Sequence, residues 1–175
     1  MASIFLRRPE QQVLSPCPQI GAPAPECLAG HDFLVAFLRH VGCPFAENTI
    51  RQLRQWHAQN PQTAVVVVSH GSTAVTEDWL ARIGGIGTLR FVNDEPRTHY
   101  GRWGLGYTSA WHFMGPRSLS GVMRLWPEGI FNRTASGTRW QSAGMFLVRE
   151  GRIVWRHIPV SAEEFQLPGV VDAVS

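Results

Sequence analysis

The stretch Arg39-His40-Val41-Gly42-Cys43-Pro44-Phe45-Ala46-Glu47 combines residue types and spacing that suit thiol chemistry. It sets Cys43 where a short apolar run gives way to an amphipathic one. A cysteine at the start of a helix faces unpaired backbone N–H groups and the positive end of the helix dipole, and both favour the thiolate, the nucleophilic form. Arg39 and His40 stand just before it, but strand alternation sends them to opposite faces, so one of the two can help. Glu47, one helical turn on, opposes a thiolate unless it pairs with an arginine. The competing reading is a packed structural cysteine, since free Cys is among the most buried residue types.

The elements that must position this thiol follow from the apolar pattern. Phe33 to Arg39 (FLVAFLR) is nearly continuous, as expected for a strand buried on both faces of a parallel sheet. Gly42 supplies a tight turn, Pro44 suits the first turn of a helix, and Ala46, Ile50, Leu53 and His57 recur on one face until Asn60-Pro61 closes it. Ala64 to Ser69 (AVVVVS) predicts a second buried strand, Thr73 to Ile83 a helix stopped by Gly84-Gly85, Thr88 to Val92 a third strand, and Arg97 to Trp103 a short helix. The rhythm then breaks over Gly104 to Gln141, a long stretch of aromatic, Gly and polar residues of the kind that carries function. Ala143 to Val148 and Arg152 to His157 flank Arg149-Glu150-Gly151 as a hairpin, and Ala162 to Phe165 suggests a short C-terminal helix. The first thirty residues, rich in Pro, read as an extended arm with one short edge strand near its end. Alternating strands and helices closed by a hairpin describe an α/β sandwich with a mixed sheet.

Composition narrows the function classes. The 175 residues are 44% hydrophobic and 17% charged, which suits one compact domain and excludes collagen-like, coiled-coil and disordered chains. All sixteen cations are Arg, which removes Schiff-base and P-loop lysines from the possible mechanisms. The formal charge is +3 without a basic run, so neither nucleic acid nor membrane is expected as a partner. No apolar run approaches the roughly 18 residues of a membrane span, and a cytoplasmic location is the expectation. Cys17, Cys27 and Cys43 are an odd count with no C-x-x-C pair, which argues against a disulfide framework and a zinc site. Neither a metal nor another cofactor is expected.

The run FLVAFLRHVGCPFAENT, preceded by IGAPAPE and followed by AVVVVSHGS and SAGMFLVREGRIVWRH, resembles the thioredoxin-like proteins of the alkyl hydroperoxide reductase and thiol-specific antioxidant class, in particular their peroxiredoxin-like branch. The resemblance spans about Ile20 to His157 and implies a thioredoxin-like three-layer sandwich with a mixed central sheet. It also implies thiol redox chemistry on a peroxide or disulfide with a thiol as reductant. Cys43 matches the first cysteine of the thioredoxin C-x-x-C, while the second falls at Ala46. The peroxiredoxin pattern P-x-x-x-T-x-x-C places its Pro at Arg39, its Thr at Cys43 and its attacking Cys at Ala46. The arginine that precedes the hairpin in peroxiredoxins is Ala143 here, and Arg139 is the nearest replacement.

A monothiol site needs a resolving thiol, and Cys17 and Cys27 are the candidates within the chain. Arg39 and Arg139 are the candidate stabilisers of a Cys43 thiolate or of the developing oxyanion, with Glu47 beside them. Trp111, His112, Trp140 and Gln141, from the aromatic stretch, mix rings with fixed donors as pocket walls do. In a thioredoxin-like topology that stretch returns past Cys43 and would form a lid over it. The alternative function is a thioredoxin-like domain without turnover, binding a ligand or protein, or running non-redox chemistry in the same pocket. A free sheet edge leaves room for a homodimer.

Overall fold

The computed structural model describes residues 13–169. Its elements run β1 (Phe33–Phe37), α1 (Pro44–Gln59), β2 (Ala64–Ser69), α2 (Thr73–Arg82), β3 (Arg90–Asn93), α3 (Thr98–Arg102), α4 (Ala110–Met114), α5 (Pro116–Leu125), a single 3-10 turn (Trp126–Glu128), β4 (Gly144–Arg149) and β5 (Arg152–His157). The strands form one sheet in the order β3-β2-β1-β4-β5. β1, β2 and β3 are parallel, whereas β4 and β5 join antiparallel, giving the expected α/β fold with a mixed sheet and terminal hairpin.

Period-two alternation along β1 divides the core between the two faces of the sheet. Leu34 and Ala36 pack with Ala46, Ile50, Leu53 and Trp56 of α1 and Trp79 of α2, and Cys43 belongs to this cluster. Phe33, Val35 and Phe37 point the other way, onto Tyr100, Trp103 and Phe146. On that face Trp103 meets Phe146 with ring centroids 4.9 Å apart. The Tyr100 hydroxyl there bonds the carbonyls of Leu38, at 2.5 Å, and Val68, at 3.0 Å, fastening the C-terminal ends of β1 and β2 together.

Several expectations shift. β3 starts two residues later than the apolar run suggested, and α3 is one residue shorter at each end. Ala162 to Phe165 forms only a turn. Ser161 Oγ donates to the Glu163 carboxylate and the Val160 N–H to that of Glu164, local side-chain bonds that close the turn on itself. Of the arm, residues 1–12 lie outside the described part, and the expected edge strand reduces to a bridge between Pro23 and Arg152. The stretch 104–141 contains two helices. The buried face of α5 carries Ser118 and Gly121, while Leu119 and Met123 are exposed, an inversion of the usual apolar pattern. Gly121 is obligatory there, because a Cβ would sit 2.5 Å from the Glu163 Cβ.

The turn after β1 is built on Gly42, which has φ +82°. A Cβ at Gly42 would fall 2.3 Å from the Thr134 carbonyl oxygen, so only glycine lets the 133–136 backbone dock on this turn. The Arg133 N–H donates to Gly42 O at 3.0 Å and the Ser136 N–H to Val41 O at 3.3 Å. Two buried imidazoles complete the support: His40 Nδ1–H donates to Val41 O at 2.8 Å, and His70 Nε2–H to Arg39 O at 2.6 Å. Burial pushes His40 down to about 3, with Arg39 adding to the effect. It pushes His70 down to about 4, although the bond to Arg39 O favours the charged ring.

Replacing Gly42 by Ala combines backbone strain with a clash, and we expect a loss of about 3 kcal/mol, or roughly 10 °C in Tm. Gly85→Ala is the control: its φ is +77° with no atom within 4 Å of a Cβ, so about 1 kcal/mol is expected. Equal melting shifts for the two variants would refute the docking argument. His40 and His70 also set an acid response. They stay neutral in the fold but protonate in the unfolded chain below the ordinary value of 6.5, so unfolding takes up protons and stability falls with pH. Each contributes up to about 1.4 kcal/mol per pH unit below that value, until the folded-state values are reached. Urea midpoints should therefore drop between pH 7 and 5, and a flat profile would contradict neutral burial.

Candidate active site at the Cys43 turn

Cys43 is the N-cap residue of α1, in extended conformation, with Pro44 opening the helix behind it. It is buried, 3% exposed. Arg39, two residues past the end of β1, is also buried, and its Nη2 donates to the Arg139 carbonyl at 3.2 Å. That bond brings the two arginines expected at the site to one place. Burial lowers the Arg39 pKa, and attraction to Cys43 works in the opposite sense. Arg139 behaves in the same way, lowered first by burial and further by repulsion from Arg39, while Cys43 again pulls it up.

Glu47 does not compete for that role. Its carboxylate is fully buried in α1 and paired on both oxygens, with Arg51 at 2.8 Å and Arg133 at 3.1 Å. The condition set by the sequence, an arginine partner for Glu47, is met twice. Through Arg133 the same carboxylate ties α1 to the segment that crosses the Cys43 turn. His40 takes no part at Cys43, being committed to Val41 O.

The remaining candidates divide. Segment 133–139 lies over the Cys43 turn, held by Arg133, Ser136 and the Arg39–Arg139 bond. Ser136 Oγ also accepts from the Ser72 N–H at 2.8 Å, anchoring this strap to the start of α2. Trp140 is half-buried, and its carbonyl accepts from the Thr108 N–H at 2.7 Å. Gln141 is fully buried, with Nε2 donating to Leu105 O at 2.7 Å and Gly106 O at 3.0 Å, so it braces the chain and presents no open donor. Trp111, expected in the wall around Cys43, projects into solvent at 74% exposure beside Pro116, Arg117 and Val160. Its position two residues after Ser109, the N-cap of the five-residue α4, puts it on that helix's outer side. His112, on the same helix, points inward and is buried.

The other thiols lie elsewhere. Cys17 packs into the Phe33–Trp103 cluster, on the face of the sheet opposite Cys43, with Sγ 3.7 Å from Arg156 Nη1. Burial raises its pKa against the pull of Arg156. Cys27 is exposed and bonds Gly30 O at 2.8 Å, in the arm whose Leu28 and Ala29 cover that same opposite face. The sequence reading missed Arg133 and Ser136 as site-building residues. An arginine 86 positions from its partner carboxylate leaves no periodic signal. Among the described residues, no group of three or more His, Cys, Asp or Glu is placed to hold a metal ion, and no helix is long and apolar enough to cross a membrane.

Comparison with known proteins bears on the fold and the family. The thiol peroxidase from Chromobacterium violaceum superposes with a TM-score of 0.57 at 13% identity, over 89% of this chain and 84% of that one. A peroxiredoxin-like protein from Aquifex aeolicus gives a TM-score of 0.60, also at 13% identity, over 88% and 84% of the two chains. At that identity the likeness speaks for the thioredoxin-like fold. No curated protein matches the sequence significantly. Residues 49–160 match the AhpC/TSA antioxidant enzyme family, a stretch that begins beyond Cys43 and so owes nothing to that turn. With well over half of its 175 residues inside that match, the chain belongs to the AhpC/TSA antioxidant enzyme family.

Proposed function

We propose that the protein is a thiol-dependent peroxide reductase in which Cys43 is the attacking thiol, served by Arg39 and Arg139. The observation that carries this reading is the placement of Cys43 at the N-terminus of α1, on the turn that the Arg39–Arg139 bond and the 133–139 segment cross. In the reaction, Sγ of the thiolate attacks one peroxide oxygen, the O–O bond breaks, and an S–O bond forms as sulfenic acid. The departing oxygen leaves as hydroxide or alkoxide and takes a proton to become water or alcohol. Sulfur loses two electrons and the peroxide gains them. The guanidinium groups stabilise charge at the start on sulfur and later on the departing oxygen.

A thiol from outside the chain closes the cycle. It condenses with the sulfenic acid, releasing water and forming a mixed disulfide, and a second thiol then frees Cys43 as a disulfide of the reductant. Cys17 and Cys27, on the far side of the sheet, are poorly placed for this step. The slight exposure of Cys43 favours a small peroxide over a protein disulfide, which would have to displace the 133–139 strap.

Peroxide consumption with dithiothreitol as reductant should fall to background in Cys43→Ser and persist in Cys17→Ser and Cys27→Ser. Dimedone adducts located by mass spectrometry should fall on Cys43. Activity that survives Cys43→Ser would remove the proposal. Arg139→Gln keeps the backbone carbonyl that Arg39 uses, so it tests the charge alone. We expect peroxide reduction and Cys43 alkylation at pH 7 to slow roughly tenfold or more. Unchanged rates would mean that Arg139 has no part in the chemistry.

A further inference from the structure

On the α2 side of the returning segment a cleft of about 380 Å³ opens, in which Trp79 and the Asp78–Arg82 pair of α2 face Asn132, Arg133 and Thr134. None of the residues that line it belongs to β1, to the Cys43 turn or to α1. Trp79, one of its walls, is 2% exposed, and its Nε1–H, which can only donate, is buried without an acceptor. Buried donors without partners are rare and costly, so this indole marks a place where a hydrogen-bond acceptor belongs.

The charges around the cleft say what kind of acceptor. Asp78 gives its carboxylate to Arg82 Nε at 2.8 Å, and the buried Glu47 behind Arg133 has both oxygens taken, one by Arg51 and the other by Arg133 Nε at 3.1 Å. Arg82 and Arg133 thus spend Nε on these partners and keep Nη groups for a second acceptor. Three arginines against two carboxylates leave one positive charge in excess among the groups that line the cleft or pair with its walls. One carboxylate cancels that charge, and a phosphate dianion overshoots it. A planar carboxylate also matches the guanidinium fork, whereas a cation meets two like charges and an indole that cannot accept.

We propose that this cleft binds a small molecule bearing one carboxylate, held between the guanidinium groups of Arg82 and Arg133 with the indole N–H of Trp79 as a third donor. So seated, the ligand bridges α2 to the segment that docks on Gly42. The site needs neither the Cys43 thiolate nor its oxidation.

The test is a 19F NMR titration of the full chain with 4-fluorobenzoate and with 4-fluorobenzamide, which has the same ring but no charge. Saturable binding of the benzoate is expected, with the benzamide at least about tenfold weaker. Arg82→Gln, at a side chain 63% exposed, leaves the core intact and should weaken the benzoate at least about threefold. Trp79→Phe keeps a ring but no N–H and should weaken it by at least about as much. Cys43→Ser should bind the benzoate as the unsubstituted chain does, even where peroxide reduction is lost, so failure of one proposal is separable from failure of the other. Equal affinity for the two probes, undiminished binding in Arg82→Gln, displacement of the benzoate by inorganic phosphate at equal concentration, or no saturable binding at millimolar concentration would overturn the assignment.

Discussion

The buried Arg39 guanidinium donates to the Arg139 carbonyl, and this one bond from the end of β1 to the returning 133–139 segment closes the Cys43 turn. Much of the surrounding architecture serves that juxtaposition. Arg39 is carried there by the chain just past β1, Cys43 by the N-cap position of α1, and Arg139 by the segment that returns to the hairpin. None of the three is held by its neighbours in sequence alone. The strap comes close enough because Gly42 has no side chain, and it stays because the buried Glu47 carboxylate holds Arg133.

Electrostatic neutrality elsewhere lets the charges at the turn act on each other. His40 and His70 adjoin the turn, yet both are held neutral by burial and spend a ring N–H on the backbone carbonyls of Val41 and Arg39. A protonated imidazole there would add a third cation to a pair that already repels. Glu47 is removed from the balance in the opposite way, its negative charge divided between Arg51 and Arg133. Neither His40 nor Glu47 is thus free to act on Cys43, and family membership in the AhpC/TSA antioxidant enzymes gives the turn its chemical context.

The parts of this design that were legible in the sequence are those fixed by local pattern. The run AVVVVS became β2 over the same residues, and Pro44 and the Asn60-Pro61 pair marked the ends of α1. β1 stopped at Phe37 although the apolar run continued, yet the Leu38 N–H still pairs with Val68 O, so the difference is one of definition more than of packing. Helix α5 was illegible for a physical reason: it packs through Ser118 and Gly121 and turns its large apolar residues outward. The site divides in the same manner. Cys43 and Arg39 could be found from position in a strand-turn-helix unit and Arg139 from its place before the hairpin, whereas Arg133 and Ser136 act through contacts between distant parts of the chain.

The sheet itself decides how the thiols can cooperate. Alternation along β1 assigns Cys43 to the face covered by α1, while Phe33, Val35 and Phe37 build the opposite face, on which Cys17 packs. Joining those two sulfurs would require the distance between their Cα atoms to fall to about 6 Å, with a five-stranded sheet between them. Arm residues could peel away, but Cys17 is pinned by the close approach of its backbone to Gly104, and Ser15 bonds Gly101 just beside it. On the proposed function, a Cys43 sulfenic acid would therefore need a thiol from outside the chain. On that reading the segment 133–139, docked on the turn through Gly42 and Val41, would stand in the way of large oxidants and large reductants alike.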